Sequence, residues 1–593
     1  MKKSEPKKIV IVGGVAAGAT AAARLRRLDE DADITIVERG PYVSFANCGL
    51  PYHISGAIEK RSKLLLQTPE GFFSRYRVKV LVNAEAVGID RQRRTVSLRD
   101  LKPAASADAG GNASGKGSGN ASDGVSGRVP AELNYDALLL AQGGTPIVPP
   151  LPGADLPHVF KLWTIPDMDA IQRFIKEKNP ASVAVVGGGF IGLETAEAFL
   201  ERGLKLTIVE LSDHLMPPMD TLYGSRIKER FEKAGAAVIL RRGVKAIEPN
   251  RVLLDDGSYA DADLVLLSVG VRPNTDLAKA SGLELGATGA LKVDEYMRTS
   301  DPSIWAAGDM VEVVSKISGS AVRIPLAGPA NRQGRIAATN IIVGLDEPGA
   351  AGGEAGVARL RYSGAAGTSV VKIFDETAAS TGFSLAAARK AGFDAAEVTI
   401  QKGTHASYYP GAHDLLLTLV YDRKDGRLLG AQAYGTDGVD KRIDAAAVAV
   451  QARLSVDDLA ELDFAYSPPY SSANDPLNMA AFVAMNARSG YSPLVSADSI
   501  AVQGSVSATL IDLRSYGEYA KGHALNALHL PLDELRDRLD EVPRSLPVRL
   551  ISDGGFEGHI ASRILRQSGF QDVANISGGW AALRLVDGLS IEQ

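Results

Sequence analysis

The stretch Lys8-Ile9-Val10-Ile11-Val12-Gly13-Gly14-Val15-Ala16-Ala17-Gly18 opens a unit that closes on Ile34-Thr35-Ile36-Val37-Glu38. The first apolar run reads as a buried strand, the glycines as a tight turn, and the segment through Leu28 as a helix. The second run is a parallel strand, and Glu38 lies twenty residues past Gly18. In such a β-α-β unit the glycines let the backbone approach a pyrophosphate. The helix N-terminus offers it amide donors and positive dipole, and the acid accepts from a ribose hydroxyl. The candidate dinucleotide set is therefore Gly13, Gly14, Val15, Ala16, Ala17, Gly18 and Glu38. Val15 stands where the fingerprint usually has its second glycine.

A second copy begins 174 residues later: Val183-Ala184-Val185-Val186, then Gly187-Gly188-Gly189-Phe190-Ile191-Gly192, a helix, and Leu206-Thr207-Ile208-Val209-Glu210. Gly187, Gly189, Gly192 and Glu210 are its candidate cofactor residues. A carboxylate at 210 favours a free 2′-hydroxyl and repels a 2′-phosphate, which favours NADH over NADPH. Two such units in one chain predict a protein that binds two dinucleotides.

A chain of 593 residues is too long for one core and predicts three or four domains. Its 45% hydrophobic and 23% charged content is that of a globular protein. A net charge of -5 without a long basic stretch argues against nucleic acid as a partner. The apolar run 9–23 follows lysines like a signal peptide, but its glycines and the arginine-bearing helix after it read as strand-turn-helix. No stretch is apolar enough to predict a membrane span. The one cysteine, Cys48, permits no intrachain disulfide and no cysteine-cluster metal site, and eight scattered histidines suggest none either. A lone cysteine is commonly a small buried apolar residue. It can also do redox chemistry by alternating between thiolate and a mixed disulfide, persulfide or sulfenic acid. A cytoplasmic setting, where such a thiol stays reduced, is expected.

Further motifs carry a resemblance. Tyr135-Asp136-Ala137-Leu138-Leu139-Leu140-Ala141-Gln142-Gly143-Gly144-Thr145-Pro146 resembles the strand-to-loop return of flavin disulfide reductases, with Gln142 in place of threonine. Residues 264–273, with Gly270, are its counterpart in the second unit. Thr299 and Ile304-Trp305-Ala306-Ala307-Gly308-Asp309 resemble the second FAD signature. Strand-like runs at 369–373 and 415–420, with alanine-rich helices near 444–452 and 478–486, resemble the dimerisation domain of the pyridine nucleotide-disulfide oxidoreductases. The runs His405-Ala406-Ser407-Tyr408-Tyr409-Pro410-Gly411, Tyr466-Ser467-Pro468-Pro469-Tyr470 and Ser44-Phe45-Ala46-Asn47-Cys48-Gly49-Leu50-Pro51-Tyr52 resemble the coenzyme A-disulfide reductase branch.

That resemblance, over roughly 8–488, implies FAD, NADH, and coenzyme A as substrate or bound ligand. Hydride would pass from NADH to FAD, and electrons from FAD to sulfur on Cys48. The aspartate of the second signature, Asp309, would accept from the flavin ribityl chain, with Arg39, Leu326, Ala327 and Ala330 also on the cofactor. Ser44 and Asn47 would support the thiol. Tyr408 and Tyr466 would reach the active site of the other subunit of a homodimer and protonate a leaving thiolate, although each could instead be core packing. Arg24, Arg27 and Arg332 would hold the substrate's ADP phosphates, although two arginines at i,i+3 can also be a solvated helix face.

From about 494 the chain resembles a rhodanese domain: Leu510-Ile511-Asp512-Leu513-Arg514, Glu518-Tyr519, Gly522-His523-Ala524 and Leu530-Pro531 follow that pattern. Ser552 occupies the place of the persulfide-carrying cysteine, and Glu557 that of a basic residue. A serine hydroxyl cannot hold a sulfane sulfur, so this unit either has lost sulfur transfer or has had its cysteine replaced; two departures in one loop favour divergence. Such a unit could still dock substrate, a sulfur-carrier protein or the partner subunit.

The expected fold class is α/β with two dinucleotide-binding (glutathione-reductase-like) domains, an α+β dimerisation domain and a C-terminal rhodanese-like α/β domain. The expected boundaries are 1–150 for the first part of the FAD-binding domain (101–129 a flexible Gly/Ser-rich insert), 151–285 for NAD binding and 286–347 for the second FAD-binding part. A short linker at 348–356 leads to 357–488 for dimerisation and 494–593 for the rhodanese-like unit. The leading expected function is NADH-dependent reduction of CoA disulfide, CoA persulfide or polysulfide through Cys48. An NADH oxidase or peroxidase cycling Cys48 through sulfenic acid is the runner-up. A sulfur-carrier docking protein with weak turnover is a third reading.

Overall fold

The computed structural model describes residues 5–101, 129–346, 357–503 and 508–592. The expected insert, save its two end residues, and the expected linker at 348–356 lie outside the described residues.

The first sheet is five-stranded and parallel, in the order Ile304–Ala306, Ala137–Leu140, Lys8–Val12, Asp33–Glu38, Lys79–Val82. Its inner strands are buried on both faces, which is why they read as unbroken apolar runs rather than alternating ones. The strand Ile304–Ala306 returns to this sheet after the whole second unit has intervened, so the first unit is built from two separated parts of the chain. The second sheet repeats the plan with Ala237–Ile239, Lys205–Val209, Ser182–Val186, Leu264–Leu267 and Val159–Phe160, all parallel. Glu210 lies one residue past its strand. The two units are tied by the antiparallel pair Gly144–Pro146 and Val271–Pro273.

The helix Ala16–Leu28 packs closely on Ala327–Asp346: a Cβ on Gly334 would fall 2.3 Å from the Ala17 carbonyl oxygen. That approach sets the first glycine turn beside Gly308, whose N–H donates to Gln333 Oε1 at 2.8 Å.

The third unit is an antiparallel sheet ordered Ser369–Ile373, Glu376–Gly382, Leu428–Gly435, Asp414–Asp422, Ala395–Gly403. The helix expected near 478–486 spans Pro476–Arg488, because Asp475 caps it: its carboxylate accepts from Leu477 N–H and Asn478 reaches back. The helix expected near 444–452 spans Val439–Gln451, starting directly after Gly438 at φ +64°. The fourth unit is a parallel sheet ordered Leu494–Val495, Val573–Ile576, Val548–Ile551, Thr509–Asp512, Leu528–His529. No helix among the described residues is long and apolar enough to cross a membrane.

Candidate active site

A cavity of about 1340 Å³ runs between the first two units and reaches Ser369 and Val370 of the third. That exceeds the roughly 300–1,000 Å³ typical of sites for one small molecule, and suits an extended ligand. Among the expected residues it is lined by Gly13, Gly14, Val15, Ala16, Ala17, Glu38, Arg39, Asn47, Cys48, Asp309, Leu326, Ala327 and Ala330. Gly18 is not on the lining; its role is packing, since a Cβ there would sit 1.8 Å from the Gly13 carbonyl oxygen. Gly13 needs its φ of +102° and has no room for a side chain either, because a Cβ there would fall 2.2 Å from Ala141 O.

Glu38 holds the turn from beneath. Its Oε2 accepts from Gly14 N–H at 2.8 Å and its Oε1 from Gly40 N–H at 2.7 Å. Burial raises its pKa, and those amides oppose the rise. Glu210 repeats the device with Gly188 N–H at 2.6 Å and Ser212 N–H at 2.8 Å. In the second unit Gly187 and Gly192 are closed in by backbone, whereas a Cβ on Gly189 would meet nothing within 4 Å. Gly189 is therefore not required by the protein's own packing, and its bare backbone is left open to a close-lying phosphate. The open volume over the first turn fits a dinucleotide there; in the second unit the fit rests on the uncovered backbone of Gly189 and on Phe190, Ile191 and Glu194, which line the same cavity. Gly187, Gly189, Gly192, Glu210 and Gly270 lie off the large cavity's lining.

Asp309 lines the cavity, and burial pushes its carboxyl up from 3.8 to about 6, Arg323 pulling the other way. The fold carries this charge at a cost. Below pH 3.8 folded and unfolded chains both hold the proton; the penalty grows as pH rises and is complete above about 6. Asp309→Asn is therefore expected to stabilise the flavin-free protein at pH 8 by about 1–3 kcal/mol, and, on the flavin role that the resemblance implies for Asp309, to weaken flavin retention by loss of an ionic acceptor. Thermal melts of flavin-free protein at pH 8 and pH 4.5, with a flavin titration, check both halves. A stabilisation equal at the two pH values would refute the charge-burial account.

Cys48 is exposed, contrary to the reading of a buried apolar cysteine. It sits in the 3-10 turn Asn47–Gly49 that leads into the helix Leu50–Ser55, whose Leu50 and Ile54 are buried anchors. Asn47 Oδ1 accepts from Cys48 N–H at 3.1 Å, so Asn47 shapes the turn. Ser44 is off the cavity lining; its backbone at φ 47° bonds Gly14, Leu66 and Gln67 and fixes the approach to the turn.

Two residues to which the sequence reading gave no role, one of them inside the quoted cysteine motif, join the cysteine. Tyr52, four residues on, donates from its hydroxyl to Glu194 Oε1 at 2.9 Å. Burial and then Glu194 hold the phenol well above its usual pKa, with Cys48 among the lesser contributors. Glu194, which lines the cavity with Phe190 and Ile191, is itself raised by burial. The signal available was position alone: Tyr52 one helical turn after Cys48, and Glu194 two residues after Gly192.

Tyr408 and Tyr466 stand apart from the cavity lining, with their hydroxyls 3.1 Å from each other and 74% and 49% of their surface exposed. The core-packing reading of both is thereby excluded. Their mutual bond raises the pKa of Tyr408. The two loops are held together by a buried ion pair, Arg442 with Asp475 at 3.1 Å. Arg442 also donates to Thr404 O at 2.7 Å, and Ser471 Oγ donates to Asp475 at 2.8 Å.

Arg24 and Arg27 share a face of the first helix as their spacing predicts. Arg24 is partly buried, donates to Thr339 Oγ1 at 3.3 Å, and has its pKa lowered by burial and then by Arg335 and Arg27. Arg27 and Arg332 are exposed. Ser552 is 1% exposed, far from free. No group of three or more side chains arranged to hold a metal ion occurs among the described residues.

Comparisons with known proteins bear on this geometry. The pyridine nucleotide-disulphide oxidoreductase profile matches residues 7–334, its dimerisation domain residues 368–476, and the rhodanese-like domain residues 498–585. The reduced Bacillus anthracis CoADR-RHD crystal structure is similar over 99% of this chain and 100% of its own, with 38% identity and a TM-score of 0.88. A NAD-dependent persulfide reductase from A. fulgidus is similar over 97% of this chain and 99% of its own, with 35% identity and a TM-score of 0.86. A coenzyme A disulfide reductase of Staphylococcus aureus (strain JH9) is 33% identical over 477 residues, covering 80% of this chain and 99% of the relative.

Proposed function

The chain belongs to the pyridine nucleotide-disulphide oxidoreductase family, and from that premise we propose that it uses NADH to reduce the sulfur-sulfur bond of a CoA-bearing disulfide or persulfide through Cys48. The family uses FAD and NAD(H). The observation that carries the proposal is the exposed, solitary Cys48 on the wall of a cavity shared by the two dinucleotide units. When bound, FAD supplies the two-electron relay between the nicotinamide and sulfur.

The residues divide the remaining work. Gly13 to Ala17 and Glu38 seat one dinucleotide, and Gly187 to Gly192 with Glu210 the other. The Cys48 thiolate attacks the substrate sulfur, forms a mixed disulfide or persulfide and expels a thiolate or hydrosulfide, which takes a proton. Two electrons then cleave the adduct and restore the Cys48 thiolate. Tyr408 and Tyr466 of the opposite subunit are the proposed proton donors, and the matched dimerisation domain supports a homodimer. Arg24, with Arg27 and Arg335, is a cationic cluster suited to the ADP phosphates of coenzyme A, and the exposed Arg332 is proposed to join them. A cytoplasmic setting belongs to the same proposal.

The test is anaerobic NADH oxidation with CoA disulfide, CoA persulfide, inorganic polysulfide and peroxide at matched concentrations. CoA-bearing acceptors are expected to lead. Arg24→Ala with Arg27→Ala is expected to raise KM for these acceptors by about 10–100-fold and to leave that for inorganic polysulfide unchanged. A preference for peroxide, or turnover only with oxygen, would replace this reading with an oxidase or peroxidase.

A further inference from the structure

The strand Ala395–Gly403 lies at the edge of the dimerisation sheet, where alternate backbone N–H and C=O groups have no strand to bond. The rhodanese-like unit supplies their partners. Thr399 N–H donates to Ser577 Oγ at 2.8 Å, and Thr399 O accepts from Gly578 N–H at 2.9 Å. Gln401 N–H, two residues on, points at Gly554 O at 3.4 Å. The two main chains touch at that point: a Cβ on Gly554 would lie 2.8 Å from Gln401 O. Arg584 clamps the flank, its guanidinium bidentate on Glu229 of the second unit at 2.8 and 3.0 Å. We infer that the loop 552–558, where a rhodanese would carry sulfur, forms in this chain, together with the turn Ser577–Gly578, the joint that docks the C-terminal unit onto the edge of the dimerisation sheet.

The interior of the loop agrees. Ser552 Oγ accepts from Gly555 N–H at 3.0 Å, and Ser552 O from Trp580 N–H at 2.6 Å. A loop amide that would face a sulfur adduct is thereby already taken. Asn575 fills the underside, donating to Gly555 O at 2.8 Å. A thiolate here would also meet Glu557 where a cation is needed. Asp553 and Phe556 remain at the surface while Ser552 is buried. The unit works as a cover for a sheet edge that would otherwise pair with another chain, and it braces the second unit against the third.

The test places a lone thiol at the joint of the full-length protein, using Cys48→Ser with Ser552→Cys. Its alkylation by iodoacetamide is expected to be at least about 100-fold slower than that of Cys48 in the native chain, and equal to it in denaturant. After inorganic polysulfide, mass spectrometry is expected to find no added sulfur at 552. Sulfur loading there at a rate near that of Cys48 would overturn the inference. Arg584→Glu in the same background sets a carboxylate against Glu229 and should open the joint. It is expected to speed alkylation at 552 by about tenfold and to raise hydrogen exchange of the Thr399 and Gln401 amides. If Arg584→Glu leaves both unchanged, 552 is shielded by its own unit alone and the joint is refuted.

Discussion

Cys48→Ser is expected to yield a protein that keeps its flavin, accepts hydride from NADH at the native rate, and reduces no disulfide or persulfide. The substitution replaces one exposed atom. The turn around it is held by other groups: Asn47 Oδ1 on the 48 amide, Ser44 on Gly14, and Leu50 and Ile54 in the core beneath. The glycine turns and their carboxylates, Glu38 and Glu210, are held without Cys48, so flavin content and anaerobic bleaching by NADH should be unaltered. Sulfur exchange needs a thiolate that can attack and later leave, and a serine hydroxyl ionises too weakly for either step at neutral pH. Turnover with CoA disulfide or persulfide is expected to fall by at least about 10⁴-fold. Steady-state NADH oxidation beside stopped-flow bleaching separates the two half-reactions. Retention of turnover within tenfold would end the single-cysteine mechanism. A parallel loss of bleaching would place Cys48 in the seating of the cofactors.

What the sequence made legible follows from which forces act locally. The two dinucleotide units were readable because a strand buried on both faces must be an apolar run, and because Gly13 and Gly187 need φ near +100° with no space for a Cβ. Helical spacing put Arg24 and Arg27 on one face of the first helix but gave no sign of the different setting of Arg26. Arg26 is buried, its guanidinium on the carbonyl oxygens of Tyr76 and Ala32, each at 2.7 Å. Composition could not announce that difference between adjacent arginines. The Tyr52 to Glu194 bond joins residues 142 apart and depends on how two units meet. The seal of Thr399 and Gln401 by Ser577, Gly578 and Gly554 is longer-ranged still, and consists mainly of backbone groups that every sequence possesses. Ser552 and Glu557 were legible as two departures in one loop, whereas the burial of Ser552 depends on the folded surroundings and was not.

Replacing Tyr408 and Tyr466 together by phenylalanine is expected to lower turnover by about 10²–10⁴-fold, the usual worth of a positioned proton donor, without slowing flavin bleaching by NADH. Two phenols whose hydroxyls meet 3.1 Å apart at a largely exposed surface have little to offer the fold of their own subunit. Their loops are nonetheless fixed by the buried Arg442–Asp475 pair and by Ser471, an ordering that a purely solvent-facing surface would not require. Removing two exposed hydroxyls leaves that network intact, so folding and dimerisation should be preserved. Mixed dimers then decide which subunit's cysteine the tyrosines serve. One subunit carries Cys48→Ser and native tyrosines; the other carries native Cys48 and both phenylalanines. If the tyrosines act across the interface, one site of the mixed dimer has both its thiol and its donors, and activity returns to about half that of the native dimer. If they act within their own subunit, each site lacks one half of its chemistry and the mixed dimer is as inactive as its parents. Differently tagged subunits, co-expressed and purified on both tags, give the measurement. An inactive mixed dimer of intact flavin content would remove the tyrosines from the partner's active site and make Tyr52, four residues after the thiol and hydrogen-bonded to Glu194 of the cavity wall, the next phenol to replace.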